Sequence, residues 1–535
     1  MYNHIFNSQS RSITRAAGIL AVASLVSGIL GLLRDRLLAG SFGAGDELDI
    51  YYAAFRIPDF ISMVLVMGAI SAAIIPIFSE YLVKSRKEAW RYFSNLLNLF
   101  LFFLVIISGV LIIFVPQILF LVAPGFSGEK KELTVILTRI MFLSPILLGV
   151  SNIISGILRV FRRFLVTSIA PIMYNLGIIF GILFFVPLFG LKGLAWGVVF
   201  GAFLHLLVQV PILLRVGFWP QRIFNFSHPG FWKTVKMTLP RAMGLAASQI
   251  NLVVITAIAS TLAAGSIAVF NLANNLRRLP ITLIGVAFST AAFPFLASYF
   301  SKGEKEKFVK EFFSIFKKIL FLMVPLSFLI FILRAQIIRV ILGTGKFVWA
   351  DTQLTAACIG IFSIGVLAYG LVLFLSKTFY AMHDTKTPAF ISLVAVVVNI
   401  ILAFLFVWLF SFENSLQRIF INFLDLQGVG GSSVIGLPLA LSLAGIFQLF
   451  LLLTFFHRKL KDFKVKYILK YSLKILIAGF ISAIVCRYVL QLTANFVNMQ
   501  TFWGVFLQAA LSALVGVIVY ILIVWRLGIL ASFRT

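Results

Sequence analysis

Arg34-Asp35-Arg36, then Gly40-Ser41-Phe42-Gly43-Ala44-Gly45, then Asp49-Ile50-Tyr51-Tyr52-Ala53-Ala54-Phe55-Arg56-Ile57-Pro58-Asp59: the reading of the fold turns on this stretch. Apolar runs flank it, Ala16 to Leu33 before it and a second run after Asp59. Both have the length and character of bilayer-crossing helices. Ionisable groups at membrane depth cost about 2.5–3.5 kcal/mol each on insertion scales, so a functional role is their default reading. The competing reading places them at the membrane edge, with long side chains reaching back to water.

The rest of the chain bears out the membrane setting. Of 535 residues, 61% are hydrophobic and only 12% charged, with mean hydropathy +1.07. Long apolar runs recur from end to end, which predicts an all-α polytopic membrane protein and disfavours a β-barrel of short alternating strands. Residues 16–33 are longer than a signal-peptide core and run directly into Arg34, so they read as a retained first helix. Fourteen transmembrane helices are expected, at about 14–38, 50–82, 92–122, 133–160, 164–187, 190–214, 238–260, 266–299, 310–343, 352–382, 387–411, 433–456, 467–491 and 500–526.

The net charge of +28 is a matter of topology and calls for no nucleic acid. With the N-terminus in the cytoplasm, most lysines and arginines fall on inside segments, including the basic run 458–474. Outside segments hold only Lys130, Lys131, Lys192, Lys346, Arg418 and Arg487, with Arg34 and Arg36 at the first outer turn. Both termini are therefore expected in the cytoplasm. The run 458–474 reads as a patch facing anionic lipid heads, with protein docking the weaker alternative.

An internal repeat sets the domain plan. Ser71-Ala72-Ala73-Ile74-Ile75-Pro76 echoes Ser289-Thr290-Ala291-Ala292-Phe293-Pro294, Ala39-Gly40-Ser41 echoes Ala264-Gly265-Ser266, and Arg56-Ile57-Pro58 echoes Arg278-Leu279-Pro280. Their shared offset predicts two pseudo-symmetric six-helix lobes, residues 1–216 and 217–458, plus two C-terminal helices in 459–535. Transporters use such repeats to build alternating faces around one central site.

Arg277 and Arg278 lie roughly a dozen residues into the eighth span, near the bilayer middle at about 1.5 Å per residue. A wet cavity accounts for them better than snorkelling does. The repeat makes Arg56 and Arg278 counterparts, and Arg34, Arg36 and Arg139 are candidates to join them. Pro58 and Pro280 each remove a backbone donor just after an arginine and are candidate hinges. All seventeen acidic residues fall in the opening stretch, in loops or at helix ends. A cationic cavity without deep carboxylates expects an anionic ligand, and guanidinium forks match phosphate oxygens. A pyrophosphate-linked lipid fits, as do free nucleotides and organic anions. His205 reads as a hydrogen-bonded packing residue, and Asn399 as an interhelical hydrogen-bonder or ion ligand. Cys358 and Cys486 read as buried hydrophobes. No nucleophile–base or paired-carboxylate arrangement appears in the loops, so neither a catalytic site, a metal nor a cofactor is expected.

Gly31-Leu32-Leu33-Arg34-Asp35, Phe42-Gly43-Ala44-Gly45, Asp49 with Ala53-Ala54-Phe55-Arg56-Ile57-Pro58, and Phe379-Tyr380-Ala381-Met382-His383-Asp384-Thr385-Lys386-Thr387-Pro388 resemble the MurJ (MviN) lipid II flippase family. That family sits in the multidrug/oligosaccharidyl-lipid/polysaccharide flippase superfamily. The resemblance implies that an undecaprenyl-pyrophosphate-linked peptidoglycan precursor moves from inner to outer leaflet of the bacterial cytoplasmic membrane by alternating access. It also implies a tail groove made with helices 13 and 14, and cell-wall synthesis proteins as partners. A monomer suffices, since one chain carries both halves. Arg34, Asp35 and Asp49 fall on family functional positions, and the substrate-binding set is read as Arg34, Asp35, Arg36, Asp49, Arg56, Arg277 and Arg278.

The chain departs from the family pattern at several places. Gly28 and Ser62 stand where the family usually has arginines. Asn275-Leu276-Arg277-Arg278 replaces an Arg-x-x-Glu, and Ile255 and Ala403 replace acids. The last two weaken a sodium site at Asn399. Another polyprenyl-pyrophosphate glycan, of O-antigen or teichoic type, stays open as the cargo. A drug/cation antiporter and a non-transporting scaffold are more distant alternatives.

Overall fold

The computed structural model describes residues 13–67, 73–460 and 465–529. Lys461 and Lys464 of the basic run, Arg11, and the first two residues of the 71–76 repeat signature lie outside them. The described residues are mostly helical, joined by turns and a longer irregular segment at 216–228. Their backbone divides into two compact units, residues 1–267 and 268–535. The seventh expected span falls within the first of these units.

Unit 1 contains α1 (Ile13–Phe42), α2 (Asp46–Ile61), α3 (Ile75–Lys84), α4 (Arg86–Val122), α5 (Gly128–Met141), α6 (Leu143–Val160), α7 (Phe164–Phe180), α8 (Val186–Phe189), α9 (Leu191–Leu207), α10 (Val210–Arg215) and α11 (Pro229–Ser260). At 37 residues, α4 rises about 55 Å, well beyond a hydrocarbon core of about 30 Å. The Ser85 hydroxyl caps it by accepting from the Glu88 amide at 3.5 Å, and Glu88 faces the positive end of the helix dipole. The side chains of Asn95 and Asn98 then grip the segment before α11. The Asn95 amide donates to the Asn225 carbonyl at 2.9 Å, and that of Asn98 to the Gln221 carbonyl at 2.7 Å. An aromatic core of Phe78, Trp90, Phe93, Phe161 and Phe218 fills the space between α3, α4 and α6.

Two helices of unit 1 touch backbone to backbone. Gly177 on α7 and Gly181, which opens the π-helical turn Gly181–Phe185 just after it, face Gly201 and Gly197 on α9, so a Cβ on Gly197 would stand 2.8 Å from the Gly181 Cα. Helices lack a hydrophobic drive to associate within lipid, and such close approach maximises dispersion between them.

Unit 2 contains α12 (Ser266–Pro280, whose first two residues fall in unit 1), α13 (Ala287–Ser301), α14 (Lys305–Ile332), α15 (Arg334–Ile341), α16 (Trp349–Ala381), α17 (Lys386–Leu409), α18 (Ser415–Leu424), α19 (Gly436–Lys459), α20 (Val465–Thr493) and α21 (Phe502–Arg526). The central element is α16, walled by α14 and α19. Phe312 stacks on Phe456 at 4.5 Å and on Phe374 at 5.2 Å in its core. The last two helices pair with each other and pack on α14, where the Tyr520 hydroxyl donates to the Phe321 carbonyl at 2.8 Å. Both cysteines are buried and unbridged, Cys486 against Leu329 and Leu333.

Twelve helices among the described residues are long and apolar enough to cross a membrane. The expected second span (50–82) falls on α2, a π-helical turn at Ser62–Met67 and α3, and part of it lies outside the described residues. The expected seventh span corresponds to the apolar end of α11, Leu245–Ser260. After Pro280 a π-helical turn follows, Ile281–Val286, as at Ser62–Met67; a further one lies at Gly181–Phe185. Both proline positions read as hinges thus lead into backbone of the same loosened kind, a frequent companion of function.

Candidate functional site

Arg34 sits in the third quarter of α1, where no local signal breaks the helix, so its depth follows from the run that carries it. Nε and Nη2 donate to Asp35 Oδ1 at 3.1 and 2.8 Å, and Nη1 donates to Asn175 Oδ1 on α7 at 3.1 Å. The Asn175 amide nitrogen donates onward to the Ser27 carbonyl and hydroxyl, both at 3.3 Å. The guanidinium is therefore aimed by a carboxylate and a tethered amide. Tyr52 stands near enough to Arg34, Asp35 and Arg56 to feel all three charges, so these sequence-derived residues share one neighbourhood in unit 1. Arg56 donates from Nε to the Thr256 hydroxyl on α11 at 2.8 Å. Arg36 is half-buried on α1. Arg139 is drawn elsewhere, donating to the Ile112 carbonyl on α4 at 3.2 Å.

Asp49 occupies a different arrangement. It lies in the first turn of α2 and is only 2% exposed. Its Oδ2 accepts from the Gly265 amide at 2.8 Å and from Lys130 Nζ at 3.3 Å, and Lys130 also reaches Asp46 at 2.5 Å. The Lys130 ammonium stands over the Phe126 ring at 4.2 Å. Beside this, the Gly125 amide donates to the Ser260 hydroxyl at 3.1 Å. Gly265 has φ +86°, and a Cβ there would collide with the Ala44 carbonyl, so only glycine fits. These contacts form a clasp joining the start of α2, the α4–α5 turn and the turn after α11.

In unit 2 the two neighbouring arginines part company. Arg277 is buried, its guanidinium carbon 4.4 Å above the Phe362 ring and 4.7 Å above the Tyr369 ring of α16. Nε and Nη1 of Arg277 have no hydrogen-bond partner among the described residues. Arg278, one residue on, is exposed. Asn399 is buried on α17. His205, in unit 1, bonds through Nδ1 to the Ser151 hydroxyl at 2.7 Å, inside a network with Gln209. That is the packing role its sequence context favoured.

The Phe379–Pro388 stretch forms a lock between spans. His383 turns the chain at φ +58°, and Asp384 accepts from the Thr387 amide at 3.0 Å, the Thr387 hydroxyl at 2.8 Å and Lys459 Nζ at 2.6 Å. Burial works against the Asp384 charge, but Lys459 and the two Thr387 donors overcome it and hold the carboxyl down to about 2.

Sequence reasoning missed Asn175, Thr256, Lys130, Phe362 and Tyr369. Asn175 had a usable signal, a lone amide in an apolar run. Lys130 read only as an outer-loop charge, and the two aromatics are indistinguishable in sequence from lipid-facing ones.

The sequence profile described as "Lipid II flippase MurJ" matches residues 38–507. A "Probable lipid II flippase MurJ" of Buchnera aphidicola subsp. Acyrthosiphon pisum (strain APS) is 32% identical over 385 residues, 71% of this chain and 75% of that protein. The "Lipid II flippase MurJ" of Burkholderia cenocepacia is 28% identical over 405 residues, 74% of this chain and 78% of that protein. Among solved structures, "Lipid II flippase MurJ, inward closed conformation" aligns with TM-score 0.77 at 27% identity, covering 95% of this chain and 98% of that one. An inward-facing multidrug resistance MATE family transporter shares the fold, with TM-score 0.67 at 14% identity, over 84% of this chain and 99% of that one.

Proposed function

Because this multi-pass membrane protein belongs to the MurJ family of lipid II flippases, we propose that it carries lipid II from the inner to the outer leaflet of the bacterial cytoplasmic membrane. The reaction is transport, with no covalent step. The observation that carries the site assignment is the aimed Arg34 guanidinium. Asp35 and Asn175 engage three of its N–H groups, which leaves two of the five that a guanidinium owns for pyrophosphate oxygens. Arg56 adds a second guanidinium in unit 1, and Arg278, in unit 2, is exposed.

Alternating access supplies the direction. Residues 62–67 and 281–286 act as the hinges, and the Asp49–Lys130–Gly265 clasp opens when the outer side does. Fourteen spans, cytoplasmic termini and a monomer complete the reading, with the polyprenyl tail held along α20 and α21. The test is rescue of a flippase-depleted bacterium together with leaflet exchange of labelled lipid II in proteoliposomes. Wild type rescues and flips. Arg34→Ala and Arg278→Ala do neither, while Arg139→Ala, outside the set, does both. Normal flipping by Arg34→Ala and Arg278→Ala removes the site assignment, and failure of the wild type removes the substrate.

A further inference from the structure

The ten-residue helix α18, between the spans α17 and α19, is tied at both ends to different spans. At its start the Asn414 side chain accepts from the Gln417 amide, Gln417 Nε2 donates to the Phe410 carbonyl at 3.1 Å, and Phe420 packs on Phe410 with ring centres 5.3 Å apart. At its end Arg334 Nη2 donates to Asp425 Oδ2 at 3.0 Å, and Gln353 Nε2 to the Asp425 carbonyl at 3.0 Å. Asp425 closes the helix in the left-handed conformation, φ +59°. Arg334 follows the last turn of α14, and Gln353 lies in the first turns of α16. A helix about 15 Å long that bridges the ends of α17, α14 and α16 lies across those spans, not along them.

Its side chains divide into three adjacent sectors. Phe420 and Leu424 pack inward on the protein. Ser415, Arg418 and Asn422 form an exposed polar edge, with Arg418 paired to Glu413 at 3.3 Å. Between these lie Leu416, Ile419 and Phe423, exposed by 36, 62 and 62% although apolar. Water does not suit that third sector. The same exposed stripe runs the length of α17 through Leu393, Val397, Ile401, Phe404 and Trp408, and Phe412 carries it into α18. On a span, such a stripe faces lipid.

We propose that α18 is an interfacial helix, with Leu416, Ile419 and Phe423 immersed in the lipid leaflet at this end of unit 2, the outer leaflet by the charge rule. One sector touches protein, one lipid and one water, the division that defines a helix lying in a membrane interface. Through the Arg334–Asp425 and Gln417–Phe410 ties it holds the ends of three spans at a fixed depth. The inference rests on the membrane embedding and is independent of which lipid is carried.

The test places a nitroxide label on Ile419→Cys, Phe423→Cys and Arg418→Cys, one at a time, in the full chain. The native thiols are buried and stay unlabelled. The host is a phosphatidylethanolamine/phosphatidylglycerol vesicle, and each variant is first checked for monodispersity. Labels at 419 and 423 collide more with oxygen than with a water-soluble nickel chelate, and the label at 418 shows the reverse. Equal access of the nickel chelate to 418, 419 and 423 overturns the proposal. So does shielding of 419 and 423 from both reagents, with or without spin–spin broadening, because it assigns the face to a protein partner. Either 419 or 423 suffices if the other variant does not fold.

Discussion

At the residue scale, Arg34 and Asp49 have opposite tasks despite sharing one stretch of sequence. Arg34→Lys keeps the charge but loses the fork, since an ammonium cannot reach Asp35 and Asn175 together while presenting a flat pair of donors. Flipping falls at least about tenfold, for a loss near 1.5–3 kcal/mol per charge-assisted bond, as measured by leaflet exchange. Asp49→Ala removes the acceptor for both Gly265 and Lys130. Asp49→Asn keeps an acceptor for Gly265 alone. Solvent access to a thiol placed beside the clasp therefore rises in the order wild type, Asn, Ala; equal access in all three disproves the clasp. The Asp384 lock has a pH signature. Its folded carboxyl titrates at about 2, below the ordinary value near 3.9, so the stabilisation is complete above about pH 4 and is lost as pH falls toward 2. Hydrogen exchange of the 379–388 segment accelerates over that window, and Lys459→Gln raises the window's lower edge and shrinks the acceleration.

Charge was the legible part at this scale, because an arginine in an apolar run announces its cost. Its partner was not. Asn175 and Thr256 are ordinary helix residues until folding brings α7 and α11 beside α1 and α2. The division of labour between Arg277 and Arg278 was illegible for a related reason. Adjacent helical positions point about 100° apart, and only the location of Phe362 and Tyr369 decides which guanidinium is sheathed by rings.

At the element scale, the α7–α9 pair depends on the absence of side chains. Gly197→Leu forces Gly181 away and costs about 1–3 kcal/mol through overpacking. The melting temperature in detergent falls accordingly, while Gly109→Leu, whose Cβ position on α4 is open, leaves it unchanged. The G-x-x-x-G spacing at 177–181 and 197–201 is visible in the sequence, but spacing names no partner, and the antiparallel register appears only in the fold. Helix existence was written plainly in hydropathy. Helix ends were not. The expected ninth span, 310–343, divides into α14 and α15 where Leu333 leaves helical geometry and Arg334 turns to reach Asp425.

At the scale of the whole molecule, Pro58 and Pro280, which the repeat pairs, each precede a π-helical turn. Pro280→Ala restores a donor and favours continuous α-helix. Flipping slows severalfold in proteoliposomes while expression and melting temperature hold; unchanged flipping argues against a hinge there. Sequence similarity between the halves does not state where a compact unit stops. Here α11 groups with unit 1, because Arg56, the 217–228 segment and the clasp all grip it or its flanking turns.

The length of α4 has a practical outcome. A 60-kDa chain buried in a micelle offers almost nothing for particle alignment in electron cryomicroscopy. α4 exceeds the hydrocarbon by roughly 25 Å over its two ends together, and its Ser85 end is a stiff, packed corner beside the end of α3. A soluble four-helix bundle spliced between Lys84 and Arg86 would continue both helices without a flexible joint, giving the images a fixed landmark whose tilt reports the motion of unit 1.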